Sequence, residues 1–448
     1  MAKIAKVYLW DTLVGAVFWD ETQSPATGTF EFDAAFTEIG LQIAPLTMPA
    51  VPGEVYAFPS LNPRAFKFLP PCLSDSLPDD FGNAVIDAWL AANGRDPRQF
   101  SPVERLLYIG RRAMGALEFR PALEQAGSKV EKLELESLVD LAGRILEERK
   151  TQFDGLHLEL HSKEEDEALK HLFQVGSSAG GQRPKAIIAI NEVTGEICSG
   201  QVEAPEGFSY WLFKFDVSNG ANTLGDPAGF GRVEYAYHLM AVAAGVQMTE
   251  CRLHIDGPRA HFMTRRFDRM DDGDKLHIQT LCAMDTADYT MPGAYSYEQA
   301  LQVCRDLGLD RTEQIELYRR MVFNVVARNQ DDHTRNIAFQ VWRDGVWHLT
   351  PAYDMCWAYR ADSPWVSTHQ MTINGKRDNF TVDDLLAVAK HIPKLNGKTI
   401  IREVVGAVSR WREFASLAGM TDEDLISQIE QTHRLYLAEL LASMPRNR

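Results

Sequence analysis

Three side chains in the second half of the chain, Asp331, Asn336 and Asp354, are of the types that phosphoryl transfer needs. That chemistry uses a carboxylate to accept or orient a hydroxyl proton, and hard oxygen ligands to hold magnesium against phosphate. One Asp, one Asn and a second Asp supply the minimum. The bland alternative keeps Asp331, Asp332 and Asn336 as solvated loop or cap residues.

The elements around them are short and regular. Leu317, Met321 and Val325 recur at helical spacing and predict a helix ending near Asn329, followed by a polar loop. Ile337 to Val341 and Val346 to Leu349 then read as two strands, joined by Asp344-Gly345, a pair suited to a two-residue type I′ turn. Asp354 follows the second strand. The protein-kinase catalytic loop has the same order: a base Asp, a metal-binding Asn five residues on, and a second metal-binding Asp after a hairpin. No HRD precedes the loop, Asp354 opens Asp-Met-Cys in place of DFG, and no APE follows it.

A second informative stretch is Val175 to Ile190, VGSSAGGQRPKAIIAI. Gly176, Gly180 and Gly181 let the backbone approach phosphate closely, and KAIIAI is a buried strand. A Walker loop is excluded, because Gln182-Arg183 stands where Lys-Ser/Thr is required. Two readings remain, a phosphate loop or a tight turn. Trp211 to Phe215 is a strand carrying one lysine, Lys214, which is costly to bury without an anion. Lys185, at the mouth of the earlier strand, competes for the phosphate-binding role. Glu234 opens a predicted helix and either positions Lys214 or is simply an acidic residue at a helix N-terminus. Arg265, Arg266 and Arg269 surround Phe267 at a strand end. The Arg111-Arg112 pair reads as an anion site or as surface charge.

The remaining chain is scaffold by its pattern. Residues 3 to 33 alternate as the strands of a small sheet, and helices are expected over Phe81 to Asn93, from Pro102, over Val130 to Arg149, and over 382–390, 398–415 and 422–444. With 62 acidic against 46 basic residues the formal charge is -16. A broad nucleic-acid-binding surface is excluded, and a basic partner is favoured. The six cysteines have no zinc or C-x-x-C spacing and read as reduced. No apolar run approaches the ~20 residues that span a bilayer, so a cytoplasmic protein is expected.

Taken together, Gly176 to Lys185, Arg266-Phe-Asp-Arg269, Asp331-Asp-His-Thr-Arg-Asn336 and Thr350-Pro-Ala-Tyr-Asp354 resemble the HipA family of bacterial toxin serine/threonine kinases. Leu69 to Pro78 and Gly115-Ala-Leu-Glu-Phe119 resemble that family's N-terminal region, so the resemblance spans nearly the whole chain. It implies that Asp331 is the catalytic Asp, that Asn336 and Asp354 are the magnesium ligands, and that Lys214 binds ATP. Gly176, Gly180, Gly181, Lys185, Glu234 and His333 are grouped with the cofactor-binding residues. It also implies autophosphorylation of a glycine-loop serine, Ser177 or Ser178, which adds roughly -1.5 to -2 charges where ATP phosphates bind. Family members phosphorylate an aminoacyl-tRNA synthetase and are neutralised by a small DNA-binding antitoxin, HipB, through which they reach operator DNA. Asp332 departs from the pattern, since members often have glycine there.

The expected fold is α+β, bilobal and protein-kinase-like, with an N-terminal β-rich subdomain (1–125), a nucleotide-binding α/β lobe (126–230) and a mainly helical catalytic lobe (231–448). Two other functions compete with the toxin kinase. One is a binding module and co-repressor whose catalysis is weak or lost. The other is a kinase for a small-molecule acceptor.

Overall fold

The structure, a computed structural model, describes residues 4–78, 80–121, 138, 141–142, 145, 184–201, 203–216, 229–270 and 273–443. Gly176, Ser177, Ser178, Gly180 and Gly181, and most of the helix expected over 130–149, lie outside the described residues. The chain's contacts divide it into two units, one of residues 1–44, 48–231 and 250–278, the other of 45–47, 232–249 and 279–448.

In the first unit, alternating residues make a sheet with one buried face. Strands β1 (Ile4–Leu9), β2 (Thr12–Asp20), β3 (Thr27–Phe32), β4 (Val55–Tyr56) and β5 (Leu117–Arg120) lie in the antiparallel order β4-β3-β2-β1-β5. Ala5, Val7 and Leu9 point inward. They share a core with Phe36 of α1 (Ala34–Ile39), with Leu69, Cys72 and Leu73 around the short helices α2 (Pro63–Phe66) and α3 (Pro71–Ser74), and with a later helix.

A second sheet is built from β6 (Lys185–Asn191), β7 (Ile197–Ser199), β8 (Phe208–Lys214), β9 (Cys251–Asp256) and β10 (Arg259–Arg265), in the order β7-β6-β8-β10-β9. Residues 126–230 supply three of these strands, and the other two come from beyond that segment. Ala186, Ile188, Trp211, Phe213 and Met263 pack against Val85 and Ile86 of α4 (Asp80–Ala92), and against Leu138, Leu141 and Ile145. Helix α5 (Pro102–Ile109) starts at Ser101 with a capping box to Glu104, and gives Leu106 and Leu107 to the first sheet's core. Arg112 is no surface charge. It is buried, with its guanidinium on the carbonyl oxygens of Tyr108 and Ile109, while Arg111 is exposed and pairs with Glu118.

The stretch after β10 is a clasp within this unit. Asp268 is buried and takes Arg266 Nε at 2.8 Å, Arg269 Nη1 at 2.7 Å and the Gly115 N–H at 2.8 Å. Arg269 in turn donates to the carbonyls of Gly115 and Ala113. Burial alone would push the Asp268 carboxyl up, but the two guanidinium charges and these hydrogen bonds outweigh it and hold the group far below the ordinary carboxylate range. Sequence spacing showed three arginines around Phe267, and missed that Asp268 is what they surround.

Helix α6 (Phe230–Ala243) begins earlier than expected. Gly231 permits this, because a Cβ there would lie 1.9 Å from the Ala260 carbonyl oxygen of β10. Glu234 therefore sits past the first turn, where the dipole explanation loses force, and it is buried. Strand β11 (His277–Thr280) leads into α7 (Leu281–Met284) and then α8 (Tyr297–Asp306) and α9 (Arg311–Val326), the last two opened by the capping boxes Ser296/Gln299 and Asp310/Glu313. The hairpin of β12 (Ala338–Val341) and β13 (Trp347–Leu349) is present, but its turn is not type I′. Val341 pairs with Trp347, leaving a five-residue loop in which the Gly345 N–H bonds the Trp342 carbonyl. Only Gly345 has positive φ (74°), whereas type I′ needs two such residues in succession.

The C-terminal helices are α10 (Val382–Ala389), α11 (Gly397–Val408), α12 (Trp411–Leu417), α13 (Glu423–Thr432) and α14 (Tyr436–Ser443), so the helices expected over 398–415 and 422–444 are each broken. The second break turns extended at His433 and buries Arg434, whose Nη1 reaches the Val325 carbonyl and His369 Nε2. No described helix is long and apolar enough to cross a membrane.

Asp268→Asn is expected to lower unfolding stability by about 3–5 kcal/mol in urea titration, since two buried guanidinium groups lose their counter-ion. Severing the exposed Arg98–Asp96 pair should leave the midpoint unchanged. The folded state holds the Asp268 proton more weakly than the unfolded chain does. This contribution is therefore complete above the ordinary carboxylate value of 3.8 and fades as the pH falls below it, which acid titration of the parent against Asp268→Asn would read.

Candidate active site

Within the second unit, α9 ends at Val326 and the chain turns at Arg328, whose φ of 60° is in the left-handed region, into the loop 329–336. Adjacent carboxylates in this loop meet opposite fates. Asp332 is buried and bonded at both oxygens: Oδ2 accepts from the Tyr297 hydroxyl (2.9 Å) and from His369 Nδ1 (2.8 Å), and Oδ1 accepts from the Gln370 N–H (2.8 Å). Asp331 keeps 42% of its side-chain surface. Its Oδ1 accepts the Trp365 indole N–H at 2.6 Å, and Oδ2 takes no hydrogen bond among the described residues.

Asn336 closes a short 3₁₀ turn, Thr334–Asn336, and donates its Nδ2 to the Asp331 carbonyl at 2.8 Å. That bond fixes the amide and leaves its Oδ1 as a lone-pair donor. Asp354, one residue past Tyr353, has φ 52°, a conformation that costs of order 1 kcal/mol or more in a non-glycine residue. Asn329 Nδ2 braces it by donating to the Asp354 carbonyl (3.3 Å), and Asn329 is held by Asn324 Oδ1 (2.9 Å). Asn324 Nδ2 also donates to Tyr297 (3.1 Å). One buried network thus joins Asp332, Tyr297, Asn324 and Asn329 to the backbone of Asp354.

The electrostatics follow from this crowding. Removal from water is the largest cause raising the Asp331 carboxyl above its ordinary value; His333 and the Trp365 hydrogen bond oppose the rise, and the charges of Asp354 and Asp332 add to it. His333 Nε2 lies 3.9 Å from Asp331 Oδ1, and its ring is 5.6 Å from that of Tyr289. A small recess with room for roughly one water is lined by Arg320, Asn324, Asn336, Tyr353 and Asp354, among others. Arg320 donates to Glu316 and to the Thr350 carbonyl, while its buried Nη1 has no hydrogen-bond partner among the described residues.

Among the described residues no three His, Cys, Asp or Glu side chains gather to hold a metal unaided. Magnesium commonly uses one or two protein carboxylates and completes its shell with phosphates and water. The fixed Asn336 amide and the carboxylates Asp331 and Asp354, the second of which adds to the rise at the first, suit that arrangement. In the first unit, Lys185 and Lys214 are direct partners across β6 and β8, and Lys214 also faces Phe262 of β10, its Nζ 5.7 Å from the ring centroid. Both lysines are largely buried. The two candidates for one role are therefore neighbours on one face.

Sequence reasoning found Asp331, His333, Asn336 and Asp354, and the structure brings these together. It missed Tyr297, Trp365, His369 and Gln370, which lie far away in sequence and carry no local signal. Asn324 and Arg320 did leave one: with Glu316 they recur every four residues on α9, a polar stripe beside the apolar one.

The comparisons agree with this architecture. The HipA-like C-terminal domain matches residues 177–412, and the HipA N-terminal domain matches residues 5–120. The chain belongs to the HipA family. Among solved structures it resembles HipA of Shewanella oneidensis MR-1, determined in a toxin–antitoxin complex with HipB and operator DNA, at 17% identity and a TM-score of 0.64 over 98% of this chain and 96% of that one. The proinflammatory kinase CtkA of Helicobacter pylori is more distant, at 12% identity and a TM-score of 0.33 over 52% of this chain and 91% of that one. No curated protein matches the sequence. The expected α+β fold, β-rich first and helical last, is the fold observed.

Asp332→Asn is expected to cost about 3 kcal/mol of stability, because three buried donors then face a neutral amide. Asp331→Asn, half exposed and singly bonded, should stay within about 1 kcal/mol. Parallel urea unfolding of the two variants checks both values.

Proposed function

We propose that this chain is the toxin of a toxin–antitoxin pair, a protein serine/threonine kinase that uses ATP and magnesium. The observation that carries the reading is the division between the two adjacent carboxylates. Asp332 uses both its oxygens to hold the loop, whereas Asp331, with 42% of its side chain exposed, has only Oδ1 bonded among the described residues.

In this reading Asp331 receives the acceptor hydroxyl and its proton. Asn336, through the Oδ1 that its Nδ2 bond leaves available, and Asp354 would hold magnesium. Magnesium, when bound, neutralises charge on the phosphates. Lys214 binds those phosphates, and its register with Lys185 supports a shared role. That register sets the two side chains directly opposite each other on one face of the sheet, where one phosphate can meet both. Glu234, His333 and the glycines Gly176, Gly180 and Gly181 complete the proposed nucleotide-binding set. Ser177 or Ser178 is the proposed site of self-inhibitory phosphorylation.

The partner we propose is a small HipB-like antitoxin, since the HipA neighbour was determined with HipB and operator DNA. Operator DNA would be reached only through it, as a formal charge of -16 disfavours direct contact and suits a basic partner. The proposed acceptor is a protein hydroxyl, with an aminoacyl-tRNA synthetase as the first candidate. The proposed location is the cytoplasm.

The test is incubation of the purified chain with magnesium-ATP beside Asp331→Asn, followed by phosphopeptide mapping of residues 171–185. Phosphate on Ser177 or Ser178 in the parent only is the expected result. Nucleotide binding with no phosphate on this chain or on an added synthetase would overturn the kinase reading and favour a co-repressor that has lost catalysis.

A further inference from the structure

Trp365 lies on the segment that follows Asp354, and the bonds around it form a closed ring about the two loop carboxylates. Its indole N–H meets Asp331 Oδ1 at 2.6 Å. Its carbonyl accepts Gln370 Nε2 at 2.5 Å, and the Gln370 N–H returns to Asp332 Oδ1 at 2.8 Å. The Ser363 hydroxyl oxygen accepts the N–H groups of Trp365 and Val366, both at 3.2 Å, which fixes the turn that carries the indole. Asp332 therefore anchors, through Gln370, the side chain that holds Asp331.

We infer that Trp365 is a positioning residue for Asp331, holding Oδ1 so that Oδ2 is the oxygen presented to the acceptor hydroxyl. The chemistry of indole suits the task, since it donates one hydrogen bond and offers no lone pair that could take a proton in place of the carboxylate. During transfer, the hydroxyl oxygen bonds the γ-phosphorus and the bond to the β–γ bridging oxygen breaks, releasing ADP. The hydroxyl proton passes to Asp331 Oδ2. A carboxylate free to rotate would spend part of its time with neither oxygen aligned, and orientation of this kind is a substantial part of a catalytic barrier. The inference rests on the phosphoryl-transfer reading of Asp331.

The test uses the full chain with two replacements of Trp365 introduced site-specifically. β-(3-Benzothienyl)alanine keeps the ring shape and lacks the N–H, and 5-fluorotryptophan keeps the donor. Phosphate incorporation is followed over a range of magnesium-ATP concentrations, with thermal midpoints measured alongside. The benzothienyl variant is expected to lose about tenfold in the rate at saturating ATP, with its ATP half-saturation within about twofold of the parent and an unchanged midpoint. The fluorotryptophan variant should retain the parent's rate. The ¹⁵N-labelled indole N–H resonance of residue 365 should also move in Asp331→Asn, a readout independent of turnover.

A benzothienyl variant as fast as the parent, or faster, overturns the inference, and so does a loss confined to ATP half-saturation. These results leave the kinase reading standing if the parent transfers phosphate. A parent that transfers none brings down that reading and the inference with it.

Discussion

The second unit depends on one buried carboxylate. Asp332 has no water to solvate it, so it must be met by donors or pull the loop out of the protein. Tyr297 from α8, and His369 and the Gln370 backbone from the segment after Asp354, meet it. They come from two different elements, so satisfying one charge registers a helix, the loop and a connecting segment together. The chain of bonds continues from His369 to Arg434 and from Tyr297 through Asn324 and Asn329 to Asp354. A network of this kind is costly when incomplete, which makes the arrangement close to all-or-none. Its product is a neighbouring aspartate, Asp331, fixed in backbone yet open at one oxygen.

The first unit solves a similar problem with a different charge balance. Asp268 there is a buried anion surrounded by Arg266, Arg269 and the Gly115 N–H, and it fastens the exit of β10 to the loop before β5. Two guanidinium groups share that one anion, and backbone carbonyls take further donors of Arg269. Lys185 and Lys214 are two cations placed across from each other by strand register. The clasp gives the sheet a fixed boundary, and the lysine pair is its proposed phosphate contact. Structure and chemistry are thus divided between neighbouring charges in each unit, as they are between Asp332 and Asp331.

Much of the fold was legible because it rests on periodicity. The alternation in 3–33, the run KAIIAI and the stripe Leu317, Met321, Val325 each gave an element of the right type. Errors fell where tertiary demands override local pattern. Asp344-Gly345 looked like a two-residue turn, but the pairing of Val341 with Trp347 set a longer loop. The C-terminal helix broke at His433 because Arg434 is needed in the interior. At the site, residues close in sequence to Asp331 could be found, and those that orient it could not. Asp332 looked like a disturbance to the motif, whereas its burial separates the two carboxylates. Nothing in DDHTRN says which aspartate faces inward; that depends on Tyr297 and His369, more than thirty residues away on either side.

The cluster of Asp331, Asn336 and Asp354 is proposed to work on a magnesium-bound nucleotide. The most direct test is calorimetric titration of the full chain with a non-hydrolysable ATP analogue, with and without magnesium, beside Asp354→Ala. Binding that strengthens with magnesium in the parent, and loses about tenfold or more of that strengthening in the variant, is the predicted result. Binding that is indifferent to magnesium in both proteins would contradict it.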